Sequence, residues 1–249
     1  MIHLPPLPAH DRASKCPATA EDDPWDFFAH NSDNHPLAGR NHPTRCTRMV
    51  SYRFPESSIL IYIDGSCLNQ NSSIDVQSRR AGCAVVYGTH PPSGQTKSHP
   101  SIYVFRLENQ GPDGNYHAAT SNRAELRAAT AALEGRLWGT EGWRYVNIAT
   151  DSTYVVKGIT EWVPNWKARQ WTKPTGEDVA NKDLWMRLLG LVNKQARNGC
   201  EVRIWHINRG HNAEADKWAK AGACRPDVER YEACDLEQSA AKYRPRIME

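Results

Sequence analysis

Four acidic residues fall at the ends of predicted secondary-structure elements, where their side chains could reach one shared site. Asp64 follows the apolar run SILIYI and Asp151 follows YVNIAT, and a small residue comes directly after each acid. If these two strands are parallel neighbours, their carboxyl ends lie about 5 Å apart at one edge of the sheet, where α/β proteins bind ligands. Glu125 falls near the start of a predicted helix, and Asp216 falls in the last predicted helix. The four carboxylates are therefore candidates for a single site.

Carboxylates that converge repel each other unless a cation joins them. The sequence contains no Cys/His set with metal-ligand spacing, so a hard, oxygen-preferring ion such as Mg²⁺ or Mn²⁺ is the natural ligand. Two such ions, about 4 Å apart, would support both the attacking and the leaving oxygen in phosphodiester hydrolysis. Taken singly, each acid has an ordinary interpretation as a turn former, a helix cap or a solvated helix residue. Only the constellation predicts a metal site.

The hydrophobic pattern predicts the elements that must position these acids. Alternating or apolar runs predict five strands, at 58–64, 81–88, 101–109, 145–150 and 200–208. Apolar residues at helical spacing predict four helices, at 121–138, 151–162, 181–199 and 212–223, the first with Ser121 as its N-cap. Three strands in hairpin succession, followed by strands that alternate with helices, predict one mixed sheet covered by helices.

Composition suits an intracellular globular protein. The net charge is +3, with 39% hydrophobic and 24% charged residues. No apolar run approaches 18 residues and no secretory signal is evident, so we expect neither a membrane span nor secretion. Seven scattered cysteines without a CxxC pair argue against a zinc ribbon or a disulfide framework and favour a reducing compartment. We expect the nucleus or the cytoplasm, with the mitochondrion left open.

The chain divides into three predicted parts. Residues 1–55 carry eight of the sixteen prolines and five of the ten histidines without sustained periodicity, and we interpret them as a mostly disordered tail. Residues 56–224 form the predicted catalytic domain. Residues 225–249 are polar and are interpreted as a C-terminal extension.

Five sequence blocks resemble type 1 ribonuclease H and occur in the order typical of that family. They are IDGSC (63–67), SNRAELRAATAALE (121–134), TDSTYVVKGITEWVPNWKARQW (150–171), NKDLWMRL (181–188) and RGHNAEADKWAKAGA (209–223). The resemblance implies a ribonuclease H-like α/β fold, in which a five-stranded mixed sheet of three antiparallel strands followed by parallel strands is flanked by α-helices. It also implies a metal-dependent endonuclease that hydrolyses the RNA strand of RNA–DNA hybrids and leaves 5′-phosphate and 3′-hydroxyl ends.

The resemblance also assigns roles to individual residues. Asp64 would touch both of two Mg²⁺ ions (Mn²⁺ is an alternative), Glu125 and Asp151 would hold one ion, and Asp216 would hold the other. His211 would move a proton near the leaving group or help the product depart. Many relatives have a longer Gly-rich loop before the last aspartate, whereas only four residues separate His211 from Asp216 here.

The resemblance implies that the partner is an RNA–DNA hybrid. We expect a monomer that does not bind a membrane, and the sequence indicates no protein partner. RNA is distinguished by its 2′-hydroxyl groups, and a basic protrusion (residues 162–173) would meet the DNA backbone. For the tryptophans of this protrusion, packing and binding both stay open. The candidate hybrid contacts are Ser66, Cys67, Asn122, Thr153, Trp166, Lys167, Arg169 and Lys173.

Two alternatives remain at this stage. A ribonuclease H domain derived from a retroelement would have the same chemistry and a different biology. A catalytically weak hybrid-binding module would keep the fold but not the activity.

Overall fold

The computed structural model describes residues 58–69, 78–87 and 101–234, together with the backbone of three short strands nearer the N-terminus. The five core strands are β1 (Ser58–Leu68), β2 (Arg80–Tyr87), β3 (Ser101–Arg106), β4 (Tyr145–Thr150) and β5 (Glu201–His206). The α-helices are α1 (Ser121–Glu134), α2 (Thr153–Lys157), α3 (Val163–Ala168), α4 (Lys182–Arg197) and α5 (Ala213–Ala223). A π-helical turn, Gly158–Trp162, joins α2 to α3.

The core strands form one mixed sheet in the order β3-β2-β1-β4-β5. The β1–β2 and β2–β3 pairs are antiparallel, whereas β4 pairs in parallel with both β1 and β5. This topology confirms the predicted fold class, including the parallel contact between the two strands that lead to Asp64 and Asp151.

Helices cover both faces of the sheet. Alternate residues of each strand point to opposite sides, and the central strands carry buried apolar residues on both. Ile59, Ile61 and Ile63 belong to the main hydrophobic core, which also contains the apolar residues of α1 and α4. On the other face α5 crosses β2 at backbone distance, since a Cβ added at Gly82 would lie 2.0 Å from the backbone nitrogen of Ala223. A substitution at Gly82 would therefore push α5 away from the sheet.

Two local predictions were wrong. β1 does not end at Asp64 but continues to Leu68, because the backbone after the acid keeps pairing with β2 as far as Arg80. The N-cap of α1 is Thr120 rather than Ser121, because the Thr120 hydroxyl accepts a hydrogen bond from the backbone N–H of Arg123 at 3.2 Å.

Most of residues 1–55, predicted to be disordered, lie outside the described residues. Three short strands in this part of the chain extend the sheet: Ser14–Lys15 pairs with β5, Met49–Ser51 pairs with β1, and Phe28–His30 pairs with Met49–Ser51. Beyond the predicted boundary at 224, residues 225–234 pack on the domain, and 235–249 are outside the described part. Within the described residues, no helix has the length and apolarity needed to cross a membrane.

Candidate active site

The register of the parallel strands brings Asp64 and Asp151 to the same edge of the sheet. The last residue pair between β1 and β4 is Tyr62 with Ala149, so each acid lies two residues beyond that pair on its own strand. Asp64 still belongs to β1 and is 5% exposed, while Asp151 lies in the turn that leads into α2. The predicted convergence of these two carboxylates is therefore a consequence of the sheet itself.

Gly65 allows Glu125 to join them. A Cβ at Gly65 would lie 2.0 Å from the backbone nitrogen of Glu125, so only glycine lets the first turns of α1 pack directly on β1. Glu125 is the fifth residue of α1 and is partly buried at this contact. The small residue that follows Asp64 thus has a specific task, which is to bring a second acidic element against the strand.

Asp216 completes the acid cluster, a name we use for Asp64, Glu125, Asp151 and Asp216. It is the fourth residue of α5, on the face of the sheet toward which Asp64 points. Two cations hold its carboxylate: Arg209 Nη2 lies 3.2 Å from Oδ1, and Lys220 Nζ lies 2.6 Å from Oδ2.

The acids of this cluster act on each other electrostatically. Burial, followed by the charges of Asp151 and Asp216, raises the pKa of Asp64 to about 7. Burial, followed by the charge of Asp64, raises the pKa of Glu125 to about 8, against the opposing effect of a hydrogen bond with Ser152. The site therefore concentrates negative charge that the protein alone neutralises only in part.

Two polar residues orient the acids. The Nδ2 atom of Asn212 donates to Asp151 Oδ1 at 2.7 Å and to the backbone oxygen of Ile63 at 3.0 Å, so it ties the start of α5 to both strands. The Ser152 hydroxyl accepts from the backbone N–H of Val155 as the N-cap of α2, and it also hydrogen-bonds Glu125. The orientation of two acids thus depends on residues that begin helices.

The donor set fits a hard divalent cation. Among the described residues, the buried Oε2 atom of Glu125 has no hydrogen-bond partner, which is unfavourable for a carboxylate unless a ligand completes it. Asp64 is buried beside other acids, so a bound cation would stabilise its ionised form. Oxygen-only donors of this kind suit Mg²⁺ or Mn²⁺ rather than a soft metal.

A second cluster of possible metal ligands is better explained as an ion-pair network. Ligand atoms of Asp113, His117 and Asp183 lie within 4.8 Å of one another. However, Arg123 already donates to both oxygens of Asp183, at 3.0 and 2.7 Å, and this pair is almost fully buried. The ion pair between Arg123 and Asp183 fastens the start of α1 to the start of α4, which keeps Glu125 in place.

His211 lies in a single 3₁₀ turn, Arg209–Asn212, between β5 and α5. Its side chain is partly exposed, and its backbone N–H donates to the backbone oxygen of Asn208 at 2.9 Å. The turn is next to the acid cluster, because the residue after His211 bonds directly to Asp151. Its proposed part in proton transfer stays a prediction.

Comparisons with known proteins decide the family. The family model described as RNase H matches residues 56–224. The chain belongs to the ribonuclease H family. It is 31% identical over 171 residues to the ribonuclease H of Sodalis glossinidius (strain morsitans), an alignment that covers 69% of this chain and 88% of the relative. It is 32% identical over 174 residues to the ribonuclease H of Proteus mirabilis (strain HI4320), which covers 68% of this chain and 89% of the relative.

A solved ribonuclease H structure has the same fold. The crystal structure of LC9-RNase H1, described as a type 1 RNase H with the type 2 active-site motif, aligns with a TM-score of 0.50 and 26% identity. The alignment covers 75% of this chain and 82% of that one. Family and fold together identify the chain as a ribonuclease H enzyme.

Among the candidate hybrid contacts, those nearest the acid cluster surround it on two sides. Ser66 and Cys67 follow Asp64 on β1 and are partly buried, and the Cys67 thiol points to the backbone oxygen of Ala119 at 3.6 Å. Asn122, in the first turn of α1, and Thr153, at the start of α2, are exposed. All four stay predictions as contacts to a ribonuclease H substrate.

In the basic protrusion the aromatic side chains pack on each other. Trp166 lies with its ring centroid 5.7 Å from that of Trp162, 6.1 Å from Trp171 and 5.4 Å from Trp185. Trp185 itself is fully buried, and its ring contacts Gly158 so closely that a Cβ there would lie 2.1 Å away. Trp166 is therefore half-buried in a supporting aromatic stack rather than fully presented to a ligand.

The cations of the protrusion lie on its outside. Lys167, Arg169 and Lys173 are all exposed, and Lys173 forms an ion pair of 3.0 Å with Glu177. Within the protrusion, therefore, the aromatic residues pack against each other while the cations face the solvent.

The sequence analysis missed three residues of the site, namely Ser152, Arg209 and Asn212. The spacing contained a usable signal for Asn212, because it precedes Asp216 by four positions and so lies one helical turn before it. Ser152 directly follows Asp151 and precedes a helix, which is the pattern of an N-cap. Arg209 had no local signal, since its contact depends on how the turn folds back.

Proposed function

We propose that this protein hydrolyses the RNA strand of RNA–DNA hybrids with two divalent metal ions, Mg²⁺ or Mn²⁺, and releases 5′-phosphate and 3′-hydroxyl ends. The observation that carries the proposal is the convergence of Asp64, Glu125, Asp151 and Asp216 at one edge of a ribonuclease H sheet. When bound, the ions supply positive charge and Lewis acidity at the phosphate undergoing hydrolysis.

Each protein group has a separate task in this reaction. The acid cluster would hold the ions, and a bound ion would satisfy the buried Oε2 atom of Glu125. Asn212 and Ser152 keep Asp151 and Glu125 oriented, which removes the need to reorganise them during the reaction. His211, in the turn beside the cluster, moves a proton at the leaving oxygen.

Substrate selection is assigned to the two sides of the cluster. Ser66, Cys67 and Asn122 contact the sugar edge of the RNA strand, where the 2′-hydroxyl distinguishes RNA from DNA. Thr153 and the protrusion cations contact phosphates of the DNA strand, which adds affinity without sequence preference. We expect a monomer that acts in the nucleus or the cytoplasm.

The test is cleavage of three labelled substrates of one sequence: an RNA–DNA hybrid, an RNA duplex and a DNA duplex, each with Mg²⁺ and with EDTA. The wild type should cut only the RNA of the hybrid and only with Mg²⁺, and the fragments should accept a label that requires a 3′-hydroxyl end. Asp64→Asn should bind the hybrid and not cut it. Asp113→Asn, outside the acid cluster, is the matched control and should cut at the wild-type rate.

Two results would refute the proposal. Equal cutting of all three substrates would remove hybrid specificity. A wild type that binds the hybrid without cutting it would favour the alternative of a hybrid-binding module.

A further inference from the structure

Arg209 occupies a turn that is fixed at both ends beside the acid cluster. Before it, the backbone N–H of Ile207 donates to the backbone oxygen of Thr150 at 3.0 Å, which continues the β4–β5 ladder beyond the strands. After it, Asn212 is fixed by its bonds to Asp151 and to Ile63. The backbone of Arg209 is therefore held at the sheet edge where the acids converge.

The guanidinium of Arg209 acts on more than one acid. It forms an ion pair with Asp216 at 3.2 Å, and its charge opposes the rise in the pKa of both Asp64 and Glu125. Lys220 also pairs with Asp216, at 2.6 Å, from one turn further along α5. Arg209 is thus a cation whose charge acts on three of the four acids of the cluster.

The same side chain is open to a large substrate. It is 76% exposed, so a nucleic acid that reaches the acids also reaches the guanidinium. A guanidinium keeps its charge at any relevant pH and offers paired N–H donors that match two oxygens of a phosphate. A carboxylate cluster repels a phosphate, and a cation at its rim offsets that repulsion where the bond is broken.

We propose that Arg209 is a catalytic residue, whose guanidinium donates hydrogen bonds to the non-bridging oxygens of the phosphate that is hydrolysed. The inference rests on the proposed function. In the metal-free structure Arg209 pairs with Asp216. An ion held by that carboxylate would leave the guanidinium free to bind the phosphate. The ion pair with Asp216 therefore competes with metal binding and, at the same time, keeps the cation in place.

The test uses the full chain with Arg209→Gln, Lys220→Gln and Lys217→Gln. Lys217→Gln is the matched control, because it makes the same charge change one residue after Asp216, where the lysine lies over the ring of Trp218. Single-turnover cleavage of the hybrid should slow by about 10²-fold in Arg209→Gln, the effect typical of losing one donor to a charged transition state, and should not change in Lys217→Gln. Arg209→Lys should restore part of the loss.

Calorimetric titration with Mn²⁺, without nucleic acid, gives a second readout. Arg209→Gln and Lys220→Gln should both bind Mn²⁺ more tightly than the wild type, since each removes an ion pair that the metal must displace. The inference would be overturned if Arg209→Gln cleaved the hybrid at the wild-type rate, or if it bound Mn²⁺ more weakly than the wild type. Absence of cleavage by the wild type would instead refute the proposed function.

Discussion

At the scale of single residues, the buried amide of Asn212 shows how a side chain that holds no ion can determine where an ion binds. It is 1% exposed and divides its two donors between Asp151 and the backbone oxygen of Ile63. Its own Oδ1 atom has no hydrogen-bond partner in the part of the chain that the structure describes. Burying this unpaired oxygen costs folding free energy, whereas the amide nitrogen of the same side chain fixes Asp151.

We predict that Asn212→Ala weakens Mg²⁺ binding by about 10- to 100-fold, because Asp151 loses the donor that fixes its orientation. Calorimetric titration measures the affinity directly. Asn198→Ala is the control, since this amide bonds only to a backbone oxygen of α4 at the surface and should leave the affinity unchanged. Equal affinities for Asn212→Ala and the wild type would show that Asp151 needs no such support.

The raised pKa values of Asp64 and Glu125 predict how the metal-free protein responds to pH. In the fold these pKa values are about 7 and about 8, against 3.8 and 4.5 for the unperturbed groups, so the folded state retains protons that the unfolded chain has released. Stability is therefore greatest at the acidic end of this window and falls as the pH rises toward 8. Thermal unfolding in EDTA should show a lower Tm at pH 8 than at pH 5.5.

The Asp64→Asn variant separates this effect from the titration of other groups. Its Tm should depend less on pH over the same range, because the amide does not titrate. Adding Mg²⁺ should raise the Tm of the wild type more at pH 8 than at pH 5.5, since ions and protons compete for the same oxygens. The same slope in wild type and variant would place the titration elsewhere.

At the scale of elements, the basic protrusion depends on an unusual backbone. Gln170 and Trp171 follow one another with φ of +54° and +66°, a left-handed conformation that is unfavourable for residues other than glycine, asparagine and aspartate. The bend lets the backbone N–H of Trp171 donate to the backbone oxygen of Trp166 at 2.7 Å. The aromatic stack and the strained turn therefore support each other.

We predict that Gln170→Gly stabilises the protein by about 0.5–1 kcal/mol, because glycine adopts this backbone without a Cβ clash. Ala168→Gly, two residues earlier on helical backbone, should have the opposite sign. Chemical denaturation of both variants measures the difference. A destabilised Gln170→Gly would mean that its exposed side chain makes a stabilising contact.

At the scale of the whole molecule, the residues that follow position 224, where the family match ends, pack against the domain. We call residues 225–234 the C-terminal strap. Arg127, 1% exposed, donates to the backbone oxygen of Glu232 at 2.8 Å and lies 4.4 Å from the ring of Tyr231. The Tyr231 hydroxyl and the backbone N–H of Cys234 both donate to Glu134, at 2.6 and 3.2 Å. The strap thus covers a buried charged network of α1.

We predict that a chain ending at residue 224 unfolds at a Tm lower by on the order of 10 °C, because Tyr231 is no longer buried and Arg127 loses partners. A chain ending at residue 234 keeps the strap and should unfold within a few degrees of the full-length protein. Scanning calorimetry compares the three lengths. An unchanged Tm for the shortest chain would show that the domain ends at 224, as the sequence predicts.

The sequence predicted well what depends on local patterns. All five core strands were found because each is an apolar run bounded by turn residues, and the acid cluster was found because Asp64 and Asp151 directly follow two such runs. The sequence did not predict contacts between residues that are far apart along the chain and meet only when it folds. The strap is a short polar segment whose partners, among them Arg106, Arg127 and Glu134, come from distant parts of the chain. The contact of Arg209 with Asp216 requires the turn between β5 and α5.

The most direct test of the account locates the ions themselves. Crystals of the protein with Mn²⁺ and a hybrid blocked at the cleaved position would be measured at a wavelength where manganese scatters anomalously. We predict two anomalous peaks, both bounded by carboxylate oxygens of Asp64, Glu125, Asp151 and Asp216. The account would be contradicted if no manganese peak lay at this cluster, or if peaks lay only at Asp113, His117 and Asp183.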